Sequence, residues 1–263
     1  MFSDVLMQLY NDPLPYFTSD LLSVPHGLFC CGGGISSEPF APFNLSYSVG
    51  DQADRVADNR ARARAALGLT NLVSVKQTHS DQVLVMQQSH IATEQEGYDA
   101  MISTLPGTGL LIQQADCQAI LLSAPHQGVI AAIHSGWRGS VLDIIGTTIC
   151  CLQEHYGVRP DSLLAVISPS LGPCCAEFVN YRKELPVWMH SFQVRPLFFD
   201  FWAISRHQLL KAGLRIEHIE TASICSCCNQ QFFSYRRATK AGNGVTGRNG
   251  SIIGLPALRT CRG

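Results

Sequence analysis

Five short apolar segments separated by polar turns dominate the middle of this chain. They span residues 72–75, 83–86, 110–112, 120–122 and 129–133, and several end in polar residues, as expected of β-strands. Residues 54–67, 139–156 and 202–212 instead carry helical patterns, and 163–167 and 232–234 predict two further strands. Strands interleaved with helices, without an internal repeat or a break in composition, predict an α/β fold. We expect a single α/β domain over residues 1–263.

The charge of the chain is nearly balanced, with 19 Lys and Arg against 20 Asp and Glu in 263 residues. There is therefore no general basic field to hold a nucleic acid or an anionic membrane. No apolar run approaches the roughly 18 residues of a membrane span, and Asp4 stands where a signal peptide would carry Lys or Arg. We expect a cytoplasmic protein that binds neither nucleic acid nor membrane.

The 11 cysteines are the unusual part of the composition. An odd number of cysteines in a chain without a secretion signal fits reduced thiols, metal ligands or a nucleophile better than a disulfide framework. Cys225 and Cys228 form a C-x-x-C motif, which is either half of a zinc ribbon or a redox pair, but the sequence has no second C-x-x-C. Apart from Cys117, we expect simple packing for most of the others, which occur at 30–31, 150–151, 174–175, 227 and 261.

Three potential metal ligands stand at the ends of predicted strands, namely His79, Cys117 and His134. A zinc enzyme uses three such ligands and leaves one position open for water. The separations of 38 and 17 residues match no compact zinc motif. Spacing alone therefore leaves two interpretations open, a metal site or side chains that only pack at strand ends.

Two further motifs carry chemistry of their own. His134-Ser-Gly-Trp-Arg-Gly139 brings backbone N–H groups and Arg138 to one point, which suits an anion, although the glycines also suit a plain strand-to-helix turn packed on Trp137. Residues 232–237, Phe-Phe-Ser-Tyr-Arg-Arg, place two arginines beside aromatic rings, as a phosphate or purine contact requires. A solvated edge strand would give the same pattern.

In combination, the motifs resemble one family, the bacterial laccase-domain proteins, also called multicopper polyphenol oxidase-like, which act in purine nucleoside metabolism. The resemblance covers nearly the whole chain and implies a single-domain α/β/α sandwich with a mixed sheet, which agrees with the one-domain α/β pattern of strands and helices. The matching segments are Pro25-His26-Gly27 through Phe43-Asn44-Leu45, Asn59-Arg60, Gln77-Thr78-His79, Ala115-Asp116-Cys117, residues 134–139, Leu171-Gly172-Pro173-Cys174-Cys175, and residues 232–237 followed by Thr246-Gly247-Arg248.

The resemblance implies one zinc ion bound by His79, Cys117 and His134. Zinc lowers the pKa of a water in the fourth position towards ~7, which is hydrolytic rather than redox chemistry. The implied reactions are deamination of adenosine and phosphorolysis of adenosine, inosine, guanosine and methylthioadenosine, so a purine nucleoside and phosphate are the expected small-molecule partners. By the same resemblance, Arg60, Gln77, Asp116 and Arg138 are catalytic residues, and Asn44, Cys174, Ser234 and Arg236 contact the substrate.

The sequence departs from the usual family pattern at several positions. Cys30 and Cys31 replace a Thr-Arg pair, which removes a cation and makes phosphorolysis less expected than deamination. Gln114, Ala176 and Ala238 replace a threonine, a tyrosine and an acidic residue. We therefore expect a substrate preference that differs from that of members matching the pattern more closely.

Other functions fit the same residues. One is a zinc hydrolase that removes wrongly made peptidoglycan precursors by the same three ligands. A copper-dependent polyphenol oxidase is another, although copper clusters need more ligands than one His₂Cys set supplies. A third is a zinc-stabilised thiol protein without enzyme activity, built on Cys225 and Cys228. The oligomeric state stays open.

Overall fold

The computed structural model describes residues 7–91 and 94–258. The start of the chain and Cys261 lie outside these residues. Within the described ranges, no helix combines the length and apolarity needed to cross a bilayer. The strands are β1 Gln8–Tyr10, β2 Tyr16–Thr18, β3 His26–Phe29, β4 Asn71–Lys76, β5 Val83–Val85, β6 Gln95–Glu96, β7 Ala100–Ser103, β8 Thr108–Gln114, β9 Gln118–Ala124, β10 Val129–Ser135, β11 Leu164–Ile167, β12 Gln193–Arg195, β13 Phe198–Phe199, β14 Ile219–Thr221 and β15 Asn249–Gly254. The α-helices are α1 Ala53–Ala66, α2 Trp137–Leu142, α3 Ile144–Tyr156, α4 Tyr181–Glu184, α5 Phe201–Lys211 and α6 Tyr235–Ala241.

The strands form two large mixed sheets and a two-stranded ribbon of β12 and β13. The first sheet has the order β1-β2-β3-β15-β8-β4-β6, in which β4 runs parallel to β8 and β6. The second has the order β14-β11-β9-β10-β7-β5, with β11 parallel to β14 and β5 parallel to β7. Their other strand pairs are antiparallel.

The two sheets face each other across one apolar core, and helices cover their outer faces. On β8, Leu110 contributes to the core between the sheets, whereas Leu111 points to the outer face and packs with α1. On β9, Leu121 joins the same central core, whereas Ile120 contributes to the cluster formed with α3 and α5. Both central strands are therefore buried on both faces, which explains why they are continuous apolar runs rather than alternating ones.

The predicted α/β fold with mixed pairing is confirmed, and the five central apolar segments form β4, β5, β8, β9 and β10. The helices predicted over 54–67 and 202–212 are α1 and α5. The prediction had one mixed sheet, but the structure stacks two between the helical layers. The assignment of the complete range 1–263 to one domain stays a prediction.

Two local predictions were wrong. The helix predicted over 139–156 is two helices, because Asp143 adopts a left-handed backbone (φ 59°) and caps α3 by accepting a hydrogen bond from the Gly146 N–H. Residues 232–234 are not a strand, since Ser234 caps α6 through the Arg237 N–H, 3.1 Å away. Strand β15 was not predicted, although it lies between β3 and β8 at the centre of its sheet.

His26 at the start of β3 makes the fold sensitive to acid. Its buried ring accepts a hydrogen bond from the Ser19 N–H at Nε2 (2.9 Å) and donates one from Nδ1 to the Val24 carbonyl (2.8 Å). Burial lowers the pKa of His26. Because the unfolded chain then takes up the proton first, the free energy of unfolding should fall below about pH 6.5, by up to about 1.4 kcal/mol per pH unit.

Urea unfolding at about pH 7.5 and about pH 5.5 measures this effect. We expect His26→Gln to remove part of the loss of stability at the lower pH, because glutamine donates and accepts hydrogen bonds without titrating there. The matched control, His126→Gln, changes an exposed histidine and should keep the wild-type pH dependence. An unchanged pH dependence in His26→Gln would contradict the role of this ring.

Candidate active site

The three potential ligands predicted from the sequence meet at one end of the two sheets. His79 follows β4 and Cys117 follows β8, each in a connection that crosses from the first sheet to the second, while His134 lies on β10. Their ligand atoms are all within 4.8 Å of one another, and Cys117 Sγ is 3.9 Å from His79 Nε2. Ligand bonds of about 2.0–2.3 Å place the atoms around a tetrahedral zinc at similar separations.

A buried carboxylate, that of Asp99 immediately before β7, holds the loop that carries His79. It accepts hydrogen bonds from the backbone N–H groups of Thr78 (3.1 Å), His79 (3.0 Å) and Ser80 (2.6 Å). This loop turns sharply, because His79 has a left-handed backbone with φ 60°. Asp99 therefore stabilises a backbone conformation that places the imidazole of His79 at the site.

Asp99 also fixes the second histidine. Its Oδ1 atom lies 2.8 Å from Nδ1 of His134, which leaves Nε2 of that ring as the nitrogen for a metal. Burial opposes the charged form of Asp99, but hydrogen bonds from His134 and Ser80 hold its pKa well below the usual range. One carboxylate thus orients two of the three ligands.

The electrostatics of the site favour a thiolate at Cys117. Burial works against that form, but the charge and hydrogen bond of His134, helped by His79, lower the pKa of Cys117 to about 6. Burial likewise opposes a charged His134, whereas Cys117 and Asp99 raise the pKa of His134 to about 9. Since the thiolate is the form of cysteine that binds metals, this arrangement suits a cation.

The donor set fits a metal site with an open position. Two imidazole nitrogens and one thiolate are typical zinc ligands, and in the described residues the group has three members. The lack of a side chain at Gly136 leaves room for the ligands, because a Cβ atom there would lie 2.9 Å from His79 Cδ2 and 3.0 Å from Cys117 Sγ. The comparable arrangement in catalytic zinc sites leaves the fourth position to water or substrate.

The site opens into a cleft of about 390 Å³, within the range of small-molecule sites. The cleft contains two cationic side chains, and of these Arg248 forms no ion pair with a carboxylate in the described part of the chain. Tyr235, half exposed, contributes an aromatic ring. The lining residues are Ser46, Ser48, Val49, Val75, Lys76, Gln77, His79, Gln113, Gln114, Ala115, Cys117, His134, Tyr235 and Arg248.

Of the other residues expected to act, Gln77 lines the cleft, with its amide bonded to both backbone groups of Gln113 at 2.8 and 2.9 Å. Asn44 lies behind the wall, where its Oδ1 accepts from the N–H groups of Ser46 (3.1 Å) and Arg248 (2.9 Å). It therefore positions two lining residues.

Arg60 also lies behind the wall of the cleft. Its guanidinium stacks on the ring of Tyr47 at 4.3 Å and forms an ion pair with Glu94 at 3.5 Å. It also donates to the carbonyl of Leu45 (2.8 Å). These contacts link α1 to the segment that precedes it and to Glu94, which directly precedes β6.

Asp116 and Arg236 form hydrogen bonds that hold the loops around the site in place. The Asp116 carboxylate accepts from Ser226 Oγ (2.7 Å) and from the Arg236 N–H (2.6 Å). The guanidinium of Arg236 donates to the carbonyls of Cys175 (3.3 Å) and Glu177 (3.1 Å). These contacts hold the residue before Cys117, which has a left-handed backbone with φ 88°.

Arg138 and Cys174 lie elsewhere. Arg138 is exposed and sits 5.1 Å from the centre of the Trp137 ring, and the Cys174 sulfur is 3.6 Å from that of Cys228. The expected site residues that do not line the cleft are Asn44, Arg60, Asp116, Arg138, Cys174, Ser234 and Arg236.

Sequence reasoning missed two residues of this site. Asp99 could have been recognised from the sequence, because it lies between Gly97 and the apolar start of a strand. A carboxylate that is buried at such a position must accept hydrogen bonds. Arg248 falls in a segment that carried the family resemblance, but it was given no role. Its place on the cleft wall depends on β15, which was not predicted.

Comparisons with known proteins agree with this site. The sequence model of the family described as Multi-copper polyphenol oxidoreductase laccase matches residues 25–256. A Deinococcus radiodurans protein named purine nucleoside phosphorylase is 32% identical over 256 residues, covering 92% of this chain and 94% of its own. The Escherichia coli protein named purine nucleoside phosphorylase YfiH is 30% identical, with 88% and 95% covered.

Solved structures show the same fold. YlmD from Geobacillus stearothermophilus superimposes with a TM-score of 0.86 at 28% identity, over 95% of this chain and 99% of that one. The Bacillus licheniformis protein YfiH superimposes with a TM-score of 0.85 at 25% identity, over 94% of this chain and 98% of that one. With the sequence match across most of its length, the chain belongs to the multi-copper polyphenol oxidoreductase laccase family.

Proposed function

We propose that this protein is a zinc-dependent purine nucleoside enzyme that deaminates adenosine and cleaves purine nucleosides with phosphate. The observation that carries the proposal is a three-ligand His₂Cys group at the wall of a nucleoside-sized cleft. It is supported by relatives of about 30% identity that are named purine nucleoside phosphorylases. The proposed metal ligands are His79, Cys117 and His134.

The donor chemistry favours zinc over a copper oxidase site. Zinc, when bound, supplies a Lewis acid that makes water nucleophilic at neutral pH. Multicopper chemistry needs several ions with further imidazole ligands, whereas the described residues bring together one histidine-containing group. The family description refers to copper, so metal analysis of the isolated protein is part of the test.

The protein's own residues then bind and orient the substrate. Tyr235 offers a face on which a purine can stack, and Arg248 offers phosphate a cation that forms no direct ion pair with a carboxylate in the described residues. Because Arg138 and Arg236 do not line the cleft, we assign the phosphate contact to Arg248 instead. Gln77 contacts the substrate from the wall, and Asn44, Arg60, Asp116 and Arg236 are positioning residues.

Incubation with adenosine, with and without phosphate, tests the proposal when products are read by mass spectrometry. We expect inosine and ammonia in the absence of phosphate, and adenine with ribose 1-phosphate when phosphate is added. His79→Ala should abolish both reactions while circular dichroism shows the fold retained. The matched control His126→Ala changes an exposed histidine outside the cleft and should keep both.

Unchanged adenosine from zinc-loaded protein under both conditions would overturn the purine proposal. A muramyl-peptide nucleotide, incubated in parallel, then tests the peptidoglycan-precursor alternative. Unfolding of His79→Ala would instead indicate a structural metal, as the hypothesis of a non-enzymatic thiol protein requires.

A further inference from the structure

A second group of potential ligands lies outside the cleft and is formed only of cysteines. Cys174 and Cys175 come from the turn after β11, and Cys225 and Cys228 come from the turn after β14. The four sulfur atoms all lie within 4.8 Å of one another. Cys228 Sγ is 3.6 Å from that of Cys174 and 3.5 Å from that of Cys175. We call these residues the four-cysteine group.

The separations between the sulfur atoms fit a metal better than disulfides. Four sulfurs at about 2.3 Å from one zinc ion stand about 3.8 Å apart at the corners of a tetrahedron. A disulfide bond requires about 2.05 Å. The distances to Cys228 are close to the first value, and Cys174 and Cys175 present their thiols from one turn towards the other.

The two turns approach each other closely, and the Cys225 sulfur accepts a hydrogen bond where they meet. A Cβ atom on Gly172 would lie 3.0 Å from Cys225 Cβ and 2.8 Å from Trp202 Cη2, so a side chain at this position would push the turns apart. The Gly172 N–H instead donates to Cys225 Sγ at 3.3 Å.

Three arginines surround the four-cysteine group and fix its backbone. Arg195 donates to the Cys174 carbonyl (2.9 Å) and Arg236 to that of Cys175 (3.3 Å). Arg237 donates to the carbonyls of Ser226 (2.7 Å) and Cys227 (3.0 Å). In the described part of the chain, none of the three guanidinium groups forms an ion pair with a carboxylate. Their positive charge complements a zinc ion with four thiolates, which together carry a net charge of minus two.

We propose that Cys174, Cys175, Cys225 and Cys228 bind a second, structural zinc ion. Binding displaces the thiol protons of these cysteines to solvent and forms four zinc–sulfur bonds, so no oxidant or reductant is required. With four protein ligands the site is closed, unlike the three-ligand site of the cleft. Two consecutive cysteines from one turn thus replace the second C-x-x-C that the sequence lacks.

This zinc would also stabilise the active site. Between two of its ligands stands Ser226, whose hydroxyl holds the Asp116 carboxylate at 2.7 Å, and the Leu171 N–H donates to the Asp116 carbonyl at 2.8 Å. Asp116 directly precedes Cys117. Both turns that the ion would join are therefore bonded to the residue that sets the direction of the cleft ligand.

Metal analysis per chain tests the proposal on protein purified under reducing conditions and dialysed against zinc. We expect about two zinc ions per wild-type chain and about one in Cys228→Ser or Cys174→Ser, both exposed positions where a serine should not disturb folding. His79→Ala should also retain about one, because it affects the other site. The matched control Cys227→Ser, in the same turn but outside the group, should retain two.

Cobalt replacement identifies which site keeps its ion. Cobalt bound by four thiolates absorbs far more strongly in the sulfur-to-metal charge-transfer region than cobalt bound by one. We expect this absorption to persist in His79→Ala and to disappear in Cys228→Ser. Absence of the four-thiolate cobalt absorption in the wild-type chain, equal loss of metal in Cys227→Ser, or disulfides between these cysteines in the intact-protein mass would each overturn the proposal. One ion per wild-type chain that keeps this absorption would instead count against the cleft site. None of these results depends on adenosine turnover.

Discussion

Asp99→Asn should weaken zinc binding at the cleft by about 10- to 100-fold and reduce adenosine turnover accordingly. The carboxylate Oδ1 bonds His134 and the His79 N–H, and Oδ2 bonds the Thr78 and Ser80 N–H groups. An asparagine presents an oxygen to only one of these sets and turns an NH₂ group towards donors of the other. Because hydrogen bonds to a charged group contribute about 1.5–3 kcal/mol each, the free energy of unfolding should also fall by about 3 kcal/mol or more.

Titration with a zinc chelator measures the affinity, and urea unfolding measures the stability. Glu96→Gln is the matched control, since it removes an exposed carboxylate three residues away that pairs with Lys76 at the surface. We expect wild-type zinc affinity in that variant. Wild-type zinc affinity in Asp99→Asn would show that the carboxylate does not orient the ligands.

Gly136→Ala should empty the cleft site while leaving the fold intact. The added Cβ would lie 2.9 Å from His79 Cδ2 and 3.0 Å from Cys117 Sγ, closer than such atoms pack. The backbone at Gly136 has φ −77° and ψ 174°, which alanine adopts without strain, so the clash falls on the ligands alone. Because misplacing a reacting group by about 1 Å costs about 100-fold in rate, we expect activity to fall by at least that factor.

Zinc content, activity and circular dichroism of Gly136→Ala should be compared with those of Gly242→Ala. A Cβ on Gly242 would meet no atom within 4 Å, so this variant should match the wild type. Full zinc content and activity in Gly136→Ala would contradict the geometry of the site.

The class of the fold followed from the sequence because the central strands are continuous apolar runs between turn residues. The number of sheets did not follow from the sequence. A strand such as β8, with both faces buried, is a continuous apolar run whether the fold has one sheet or two stacked sheets. The break at Asp143 was missed for a different reason. A single left-handed residue interrupts the helix without disturbing the apolar pattern on either side.

The candidate ligands His79, Cys117 and His134 were predicted from residue type and family resemblance, and the structure brings their ligand atoms together. The position of Asp99 before an apolar strand marks it as a bonded carboxylate, but its partners could not be inferred from local pattern, because they lie 20 and 35 positions away. The four-cysteine group was missed likewise. Adjacent Cys174 and Cys175 match no usual spacing, and only the pairing of β11 with β14 brings them to the C-x-x-C turn.

The connections that carry His79 and Cys117 both cross from one sheet to the other, so the distance between the sheets determines the distance between the ligands. The side chains packed between the sheets, such as Val75 and Leu121, therefore help to set the separation of the metal ligands, although neither is a ligand itself. We therefore expect the loss of one methyl group in that interior to change the zinc affinity of the cleft site as well as the stability of the fold.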